Sequence, residues 1–196
     1  MKNKQILNLQ HTLIDIKIYG ESKLDAEKVS NEIFNEFHRL HKLLHPWEKS
    51  FITNINNAIS EDKSIPIDND EIISILNNAQ RLEIQTQSLF NPSIGKLINL
   101  WGFHSNDHNQ ETIPNNKVIK NLVSSNPTMQ SIQIKNRVLK SNNRNVQIDL
   151  GGYAKGYALD KAKKILSNNN IENALINIGG NILAFGKRGE RDWVVG

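Results

Sequence analysis

The stretch from residue 146 to residue 166 constrains the fold of this chain more than any other part of the sequence. Residues 146–150 predict a strand that carries an acid, Asp149, at its end, and Gly151 and Gly152 then predict a turn. A helix should follow, because small and apolar side chains recur there at helical spacing: Ala154, Ala158, Ala162 and Ile165. A glycine turn that leads into a helix brings free backbone N–H groups and the positive end of the helix dipole together, and phosphate groups bind at such places.

This pattern leaves two interpretations open. A Gly-Gly turn between a strand and a helix can be only a tight connection, without a ligand. If it binds a phosphate, it does so without two familiar motifs. The dinucleotide fingerprint requires a glycine two positions after Gly151, where this chain has Tyr153. The nucleotide-binding P-loop requires Lys and then Ser or Thr after its last glycine, whereas Tyr157 follows Gly156.

Residues 149–160 also resemble the signature of a known family. They read DLGGYAKGYALD, and this is similar to the signature of the ApbE flavin transferases. Three further blocks resemble the family in the same order: residues 46–50 (PWEKS) with Asn54 and Asn56, residues 90–103 (FNPSIGKLINLWGF), and residues 173–182 (NALINIGGNI) with Gly186 and Trp193 after them. Together the four blocks extend the resemblance over most of the chain.

The resemblance implies a fold and an activity. We expect an α+β fold of the ApbE type, with a mixed sheet and flanking helices, in a single domain over residues 1–196. Family members split FAD and attach FMN to a threonine of an acceptor flavoprotein, with release of AMP and with Mg²⁺ as cofactor. The resemblance therefore implies an FAD:protein FMN transferase that takes FAD as substrate and an acceptor flavoprotein as partner.

Three residues of the 149–160 block have expected roles that come from the resemblance. Asp149 and Lys155 correspond to positions that contact FAD, and the backbone carbonyl of Gly152 corresponds to a position that contacts Mg²⁺. A carbonyl oxygen suits a hard cation that keeps several of its waters. Two other interpretations remain open, since Asp149 can cap the following helix and Lys155 can be a solvated lysine.

Residues of two other blocks are expected at the flavin. Leu89, Phe90 and Asn91 correspond to a stretch that lines the flavin site, although Phe90 suits the hydrophobic core equally well. Trp47 lies in the block where the family places an aromatic side chain against the flavin, and an indole stacks well on an isoalloxazine ring. Pro46 is the alternative candidate for that position.

Several positions depart from the family pattern. Of the Met-Gly-Thr that the family commonly has near its first strand, this chain keeps only Thr12. The family's Phe-Asp pair is Phe90-Asn91 here, which removes a charge. Family members also continue past the position that matches Gly196, and that portion supplies an aspartate and a threonine that hold Mg²⁺. We therefore expect a C-terminally incomplete chain: a fragment of a longer transferase, a truncated product without activity, or a shortened relative that binds flavin without transferring it.

The composition argues against other classes of function. The net charge is +4, but the lysines and arginines are scattered and aromatic residues make up only 6% of the chain, so no nucleic-acid partner is expected. No apolar run approaches the roughly 18 residues that a membrane span needs. The N-terminus is too polar for a signal peptide and the sequence has no cysteine for lipid attachment, so we expect the chain as written to be cytoplasmic. Members of the ApbE family, in contrast, are often periplasmic or membrane-anchored.

The rest of the sequence predicts alternating strands and helices without internal repeats. Isoleucines at every second position predict a half-buried strand before residue 20, and Ser22 with Asp25 predicts a capped helix start. The expected elements, in chain order, are a strand over 12–19, a helix after Ser22, a helix over 70–86, an exposed loop over 105–116, two or three short strands over 131–150, and a hairpin over 173–185.

Overall fold

The computed structural model of the chain describes residues 2–9, 12–105 and 113–195. These residues form six α-helices, a 3₁₀ helix (Met129–Ser131) and seven strands. In chain order the elements are β1 (Lys2–Leu9), β2 (Thr12–Tyr19), α1 (Lys23–Leu44), α2 (Phe51–Ser60), β3 (Ile65–Pro66), α3 (Asp70–Gln85), α4 (Gly95–Leu100), α5 (Asn116–Ser124), β4 (Ile132–Lys135), β5 (Val138–Ser141), α6 (Gly151–Asn168), β6 (Ala174–Ile178) and β7 (Asn181–Phe185). This mixture of helices and antiparallel sheets confirms the predicted α+β class.

The chain divides into two compact units. The first unit consists of Met1–His41 and Tyr153–Gly196, and the second of Lys42–Gly152. The single domain expected over residues 1–196 stays a prediction. None of the helices in the described ranges has the length and apolar character needed to cross a lipid bilayer.

The first unit contains an antiparallel four-stranded sheet with the strand order β1-β2-β6-β7. Ile14, Ile16 and Ile18 of β2 are at most 1% exposed, as the alternating pattern predicts. They lie opposite buried side chains of β6, and Ile16 is paired with Ile176. Because side chains alternate between the two faces of a strand, this register gives the sheet one apolar face.

The β6–β7 hairpin turns at Gly179 and Gly180, where the sequence predicts it. Both glycines have positive φ, 50° and 95° respectively. Tight two-residue hairpin turns of this kind favour glycine, which adopts positive φ without the steric penalty of a Cβ atom. The side-chain oxygen of Asn177 accepts a hydrogen bond from the N–H of Gly180 at 2.9 Å and holds the turn in place.

Helix α1 begins at the predicted capping residues. The Ser22 hydroxyl oxygen accepts the N–H of Asp25 at 3.1 Å, and the hydroxyl donates to the Asp25 carboxylate at 2.6 Å. These bonds satisfy a backbone donor that the helix itself leaves free. The predicted apolar face of the helix is buried: Ala26, Ile33, Phe34, Phe37, Leu40 and Leu44.

Helix α6 follows Asp149, as predicted, but the turn predicted at Gly151 and Gly152 is wrong, because the helix begins at Gly151 and includes both glycines. Its buried apolar stripe differs slightly from the prediction. Ala158 and Ala162 are buried, but Ile165 is only half-buried and Leu166 is buried in its place. The helix therefore presents the adjacent row of side chains to the core of its unit.

The second unit combines α2 to α5 with a small antiparallel sheet of order β3-β5-β4. Strands β4 and β5 form a hairpin across Asn136 and Arg137, which confirms the predicted turn at Asn136. Helix α3 confirms the helix predicted over 70–86, and its buried side chains are Ile72, Ile75, Leu76, Ala79 and Glu83. Helices α2 and α5 were not predicted, and residues 106–112 of the expected loop lie outside the described residues.

The strand predicted over residues 146–150 is wrong, because these residues belong to neither sheet. Among the described residues, their ladder pairing is limited to one isolated parallel bridge between Gln147 and Ile94. The N–H of Asp149 donates to the carbonyl of Pro92 at 2.8 Å and continues this pairing. The segment that carries Asp149 is therefore anchored to the start of the 90–103 block.

The other edge of this segment is held by a side chain instead of a neighbouring strand. The amide group of Asn56 donates to the carbonyl of Ile148 at 2.9 Å, and its oxygen accepts the N–H of Ile148 at 2.7 Å. Both backbone groups of Ile148 are thus paired, which a buried backbone requires. An asparagine side chain therefore takes the place of the partner strand that a sheet would provide.

Glu83 of α3 is completely buried and forms a hydrogen bond that links α3 to the 3₁₀ helix. Its Oε2 atom accepts the N–H of Met129 at 2.9 Å, while Gln80 donates to the Met129 carbonyl at 3.0 Å. The Oε1 atom has no partner among the described residues. Burial raises the pKa of the Glu83 carboxyl, and the backbone N–H groups of Met129 and Gln130 partly oppose this rise.

We expect Glu83 to make the protein less stable as the pH rises. The folded state holds this proton more tightly than the unfolded state, so the stabilisation is complete below the unfolded pKa and is lost as the pH rises through the raised folded pKa. Glu83→Gln keeps a neutral side chain of similar shape and should flatten this part of the pH profile. Urea unfolding at a series of pH values measures the effect, with the exposed Glu190→Gln as control. An unchanged pH slope in Glu83→Gln would contradict the assignment.

We also expect Gly95→Ala to destabilise the second unit by about 1–3 kcal/mol, because added volume at a packed backbone contact forces a shift. A Cβ atom on Gly95 would lie 2.6 Å from the Gln147 carbonyl oxygen, which accepts the Gly95 N–H. Gly156→Ala is the control, since its Cβ meets nothing within 4 Å. That helical substitution should instead stabilise by about 0.5–1 kcal/mol. Urea unfolding of both variants gives the comparison, and equal effects would refute the close approach at Gly95.

Candidate functional site

Trp47, His104 and Asp149 form a cluster in the second unit. His104 Nε2 lies 2.7 Å from Asp149 Oδ2, and the side chains of His104 and Asp149 are only 2% and 8% exposed. The indole of Trp47 stacks on the imidazole of His104, with ring centroids 4.9 Å apart and an angle of 23° between the planes. Two predicted site residues are therefore brought together by a histidine for which the sequence suggested no role.

The loop between α1 and α2 holds Trp47 in position. The Ser50 hydroxyl caps α2 by accepting the N–H of Thr53 at 3.0 Å, and it donates to the carbonyl of His45 at 2.6 Å. His45 Nδ1 accepts the N–H of Glu48 at 2.9 Å, and the His45 ring packs edge-on against Trp47 at 4.4 Å. The PWEKS block is therefore a compact turn that directs its indole towards His104.

Both oxygens of the Asp149 carboxylate are bonded within the protein. Oδ1 accepts the N–H of Gly151 at 2.7 Å, and Oδ2 receives the bond from His104 Nε2. The first bond satisfies a free donor at the start of α6, which is the capping role that the sequence left open. Capping and participation in the site are therefore compatible roles of this one side chain.

A cavity of about 390 Å³ adjoins this cluster. Its volume falls within the range of roughly 300–1,000 Å³ that is usual for small-molecule sites. Trp47 and His104 line the cavity, and side-chain amides and a cation provide most of the remaining polar wall: Asn54, Asn57, Asn99, Gln147 and Lys49. An aromatic face with surrounding amides and one positive charge suits a planar heteroaromatic ring that carries a phosphate group.

Leu89, Phe90 and Asn91 differ in their surroundings. Leu89 is 93% exposed, whereas the side chain of Asn91 is used inside the protein. Its amide donates to the carbonyl of Pro127 at 2.9 Å and accepts the N–H of Ser93 at 2.8 Å. Asn91 therefore shapes the turn that leads to the bridge with residues 146–150, and its bond to the Pro127 carbonyl uses an N–H that an aspartate lacks.

Phe90 and Gly152, in contrast, are brought together. Phe90 is half-buried, and its ring would lie 3.5 Å from a Cβ atom built on Gly152. Mg²⁺ prefers several oxygen ligands, commonly including a carboxylate. The role of the Gly152 carbonyl as a ligand of Mg²⁺ stays a prediction.

Lys155 lies in the first unit, beside the hairpin turn of β6 and β7. A Cβ atom on Gly179 would lie 3.4 Å from the Lys155 ammonium nitrogen. Within the described part of the chain, no carboxylate forms an ion pair with Lys155. The 149–160 block and the 173–182 block therefore meet at a positive charge next to a glycine turn, an arrangement that suits an anion.

Comparison with known proteins agrees with these blocks. The model of the ApbE family matches residues 11–196. A relative from Rhodobacter capsulatus named FAD:protein FMN transferase is 30% identical over 184 residues, which are 94% of this chain and 35% of the relative. One of the same name from Buchnera aphidicola is 26% identical over 169 residues, which are 85% of this chain and 49% of the relative. The chain thus spans between a third and a half of these two curated relatives.

Solved structures share the fold. The ApbE protein from Thermotoga maritima superimposes with a TM-score of 0.84 at 23% identity, and the match covers 97% of this chain and 61% of that protein. The flavin transferase ApbE from Vibrio cholerae gives a TM-score of 0.82 at 20% identity, with coverage of 98% and 62%. At such identities the likeness establishes the fold alone. The family match over nearly the whole chain establishes more: this chain belongs to the ApbE family.

Proposed function

We propose that this chain binds FAD and acts in the transfer of FMN from FAD to a threonine of an acceptor flavoprotein, with release of AMP. Since the chain belongs to the ApbE family, one observation of its structure supports this proposal. Trp47, His104 and Asp149 form a stacked and hydrogen-bonded cluster beside an amide-lined cavity. The curated relatives named FAD:protein FMN transferase supply the reaction.

The flavin is the part of FAD that fits this cavity. Its planar ring system offers a large face for the Trp47 indole, and its polar edge matches the surrounding amides. The exposed Leu89 and the half-buried Phe90 are proposed apolar contacts of the same ligand. Lys49 at the cavity is proposed to balance the negative charge of the pyrophosphate. Lys155, which lies in the first unit, is proposed as a contact of FAD on the family resemblance alone.

The proposed reaction is a phosphoryl transfer. The threonine oxygen forms a bond to the phosphorus of the FMN portion, the bond from that phosphorus to the AMP oxygen breaks, and the hydroxyl proton is released. Such reactions depend mainly on the positioning of the reacting groups and on charge stabilisation. A requirement for Mg²⁺, with the Gly152 carbonyl as one ligand, is proposed on the family resemblance.

A second candidate is a flavin-binding protein that does not transfer FMN. It rests on the same cluster and cavity, which account for binding of a flavin without a covalent step. The two candidates share the FAD site and differ in the covalent product. Binding and transfer are therefore tested separately.

We expect FAD to bind this chain saturably and Asp149→Ala to weaken the binding by about tenfold or more. The substitution removes the acceptor of His104 Nε2, so the imidazole that lines the cavity loses the bond that holds it in place. A hydrogen bond to a charged group is worth about 1.5–3 kcal/mol. A titration followed by flavin fluorescence measures the affinity, with the exposed Asp68→Ala as control. If Asp149→Ala unfolds the chain in a thermal melt, helix capping is the dominant role of this side chain.

We expect covalent flavin on an acceptor protein when the chain is incubated with FAD and Mg²⁺. The acceptor is a flavoprotein domain prepared without flavin, and its Thr→Ala variant at the target threonine is the control. Flavin fluorescence that survives denaturing electrophoresis, together with a mass increase equal to FMN less one water, identifies the product. FAD binding without any covalent product, with and without Mg²⁺, would exclude the transferase and leave the second candidate.

A further inference from the structure

His104 offers one hydrogen-bonding atom that the protein does not use. Its Nε2 atom is bonded to Asp149, whereas Nδ1 is buried and has no partner among the described residues. The side chain is only 2% exposed, and Trp47 covers the face of its ring. A buried polar atom without a partner is uncommon in a folded protein and calls for an explanation.

The bond to Asp149 determines whether Nδ1 donates or accepts a hydrogen bond. A carboxylate only accepts hydrogen bonds, so the proton of the neutral imidazole lies on Nε2. Nδ1 is then an acceptor, and its partner must carry an N–H or O–H group. Asp149 therefore selects what His104 can bind, although its own two oxygens are already occupied.

His104 lines the amide-rich cavity, and Asp149 is absent from the side chains that line it. Trp47, which lies over the imidazole, is 39% exposed. Nδ1 is itself buried, so a ligand that bonds it from the cavity must displace part of its surroundings.

We propose that His104 binds the ligand of this cavity through Nδ1, which accepts a hydrogen bond from an N–H or O–H group of the ligand, and that Asp149 acts through His104. The inference rests on the proposed function, since FAD is the ligand. FAD carries two heteroaromatic rings with suitable donors: the imide N–H of the flavin and the amine of the adenine.

Three substitutions test the two ring nitrogens of His104 separately. Asn places its amide oxygen as many bonds from Cα as Nδ1, so His104→Asn keeps the acceptor and loses the bond to Asp149. Gln places its amide nitrogen as many bonds from Cα as Nε2, so His104→Gln keeps the donor to Asp149 and loses the acceptor. His104→Phe keeps a ring against Trp47 and loses both bonds. The exposed His38→Gln is the matched control.

Affinity for FAD and thermal stability are measured for each variant of the 196-residue chain. We expect His104→Gln and His104→Phe to bind FAD about tenfold more weakly than the unsubstituted chain. We expect His104→Asn, which keeps the acceptor but loses the bond to Asp149, to bind FAD more tightly than either. Unsubstituted affinity in His104→Gln would overturn the inference, because the histidine would then act only by orienting Asp149. Affinities that merely follow the melting temperatures would overturn it as well, since the role would be structural.

Ligand analogues identify the donor. Riboflavin is compared with N3-methylriboflavin, which lacks the imide N–H, and AMP with purine riboside 5′-monophosphate, which lacks the amine. For the ring that contacts Nδ1, the analogue should bind the unsubstituted chain about tenfold more weakly, and His104→Gln should not distinguish the two compounds. If neither pair is distinguished by the unsubstituted chain, the inference fails while FAD binding stands. If FAD, riboflavin and AMP all fail to bind, the proposed function fails with it.

Discussion

The backbone of residues 147–149 is held from both sides without a sheet, and the candidate site depends on this arrangement. On one side the segment pairs with residues 92–95, and on the other the Asn56 amide bonds both backbone groups of Ile148. Buried backbone groups must be paired, and each one left unpaired costs about 1–3 kcal/mol. Three of the family blocks, around Asn56, Pro92 and Asp149, are therefore joined at one short segment.

Asp149 emerges from this segment with its position already fixed. Its carboxylate bonds the first residue of α6 and the imidazole of His104, which in turn supports the indole of Trp47. A buried carboxylate is tolerable when both oxygens are paired, and here the pairing also orders the cluster. The structural and functional interpretations of Asp149 thus describe the same hydrogen bonds.

Membership of the ApbE family accounts for the fold and for the order of the blocks, while the chain spans only part of its relatives. The second unit contains the cavity and the aromatic cluster, and these features support binding of FAD. Transfer of FMN and a requirement for Mg²⁺ stay proposals, because they rest on the names of the curated relatives and on the family resemblance. Binding of FAD and transfer of FMN therefore rest on different observations.

The sequence by itself determined the elements whose signals are local. The alternating isoleucines of β2, the Ser22 cap of α1, the periodicity of α3 and the glycine pair of the β6–β7 hairpin depend on neighbouring residues, and all were predicted. The tertiary structure decided what depends on distant residues. The segment 146–150 is not a sheet strand, because Asn56, about ninety positions away along the chain, replaces the partner strand. His104 belongs to the site because folding places it 2.7 Å from Asp149, and no periodicity or spacing in the sequence records that contact.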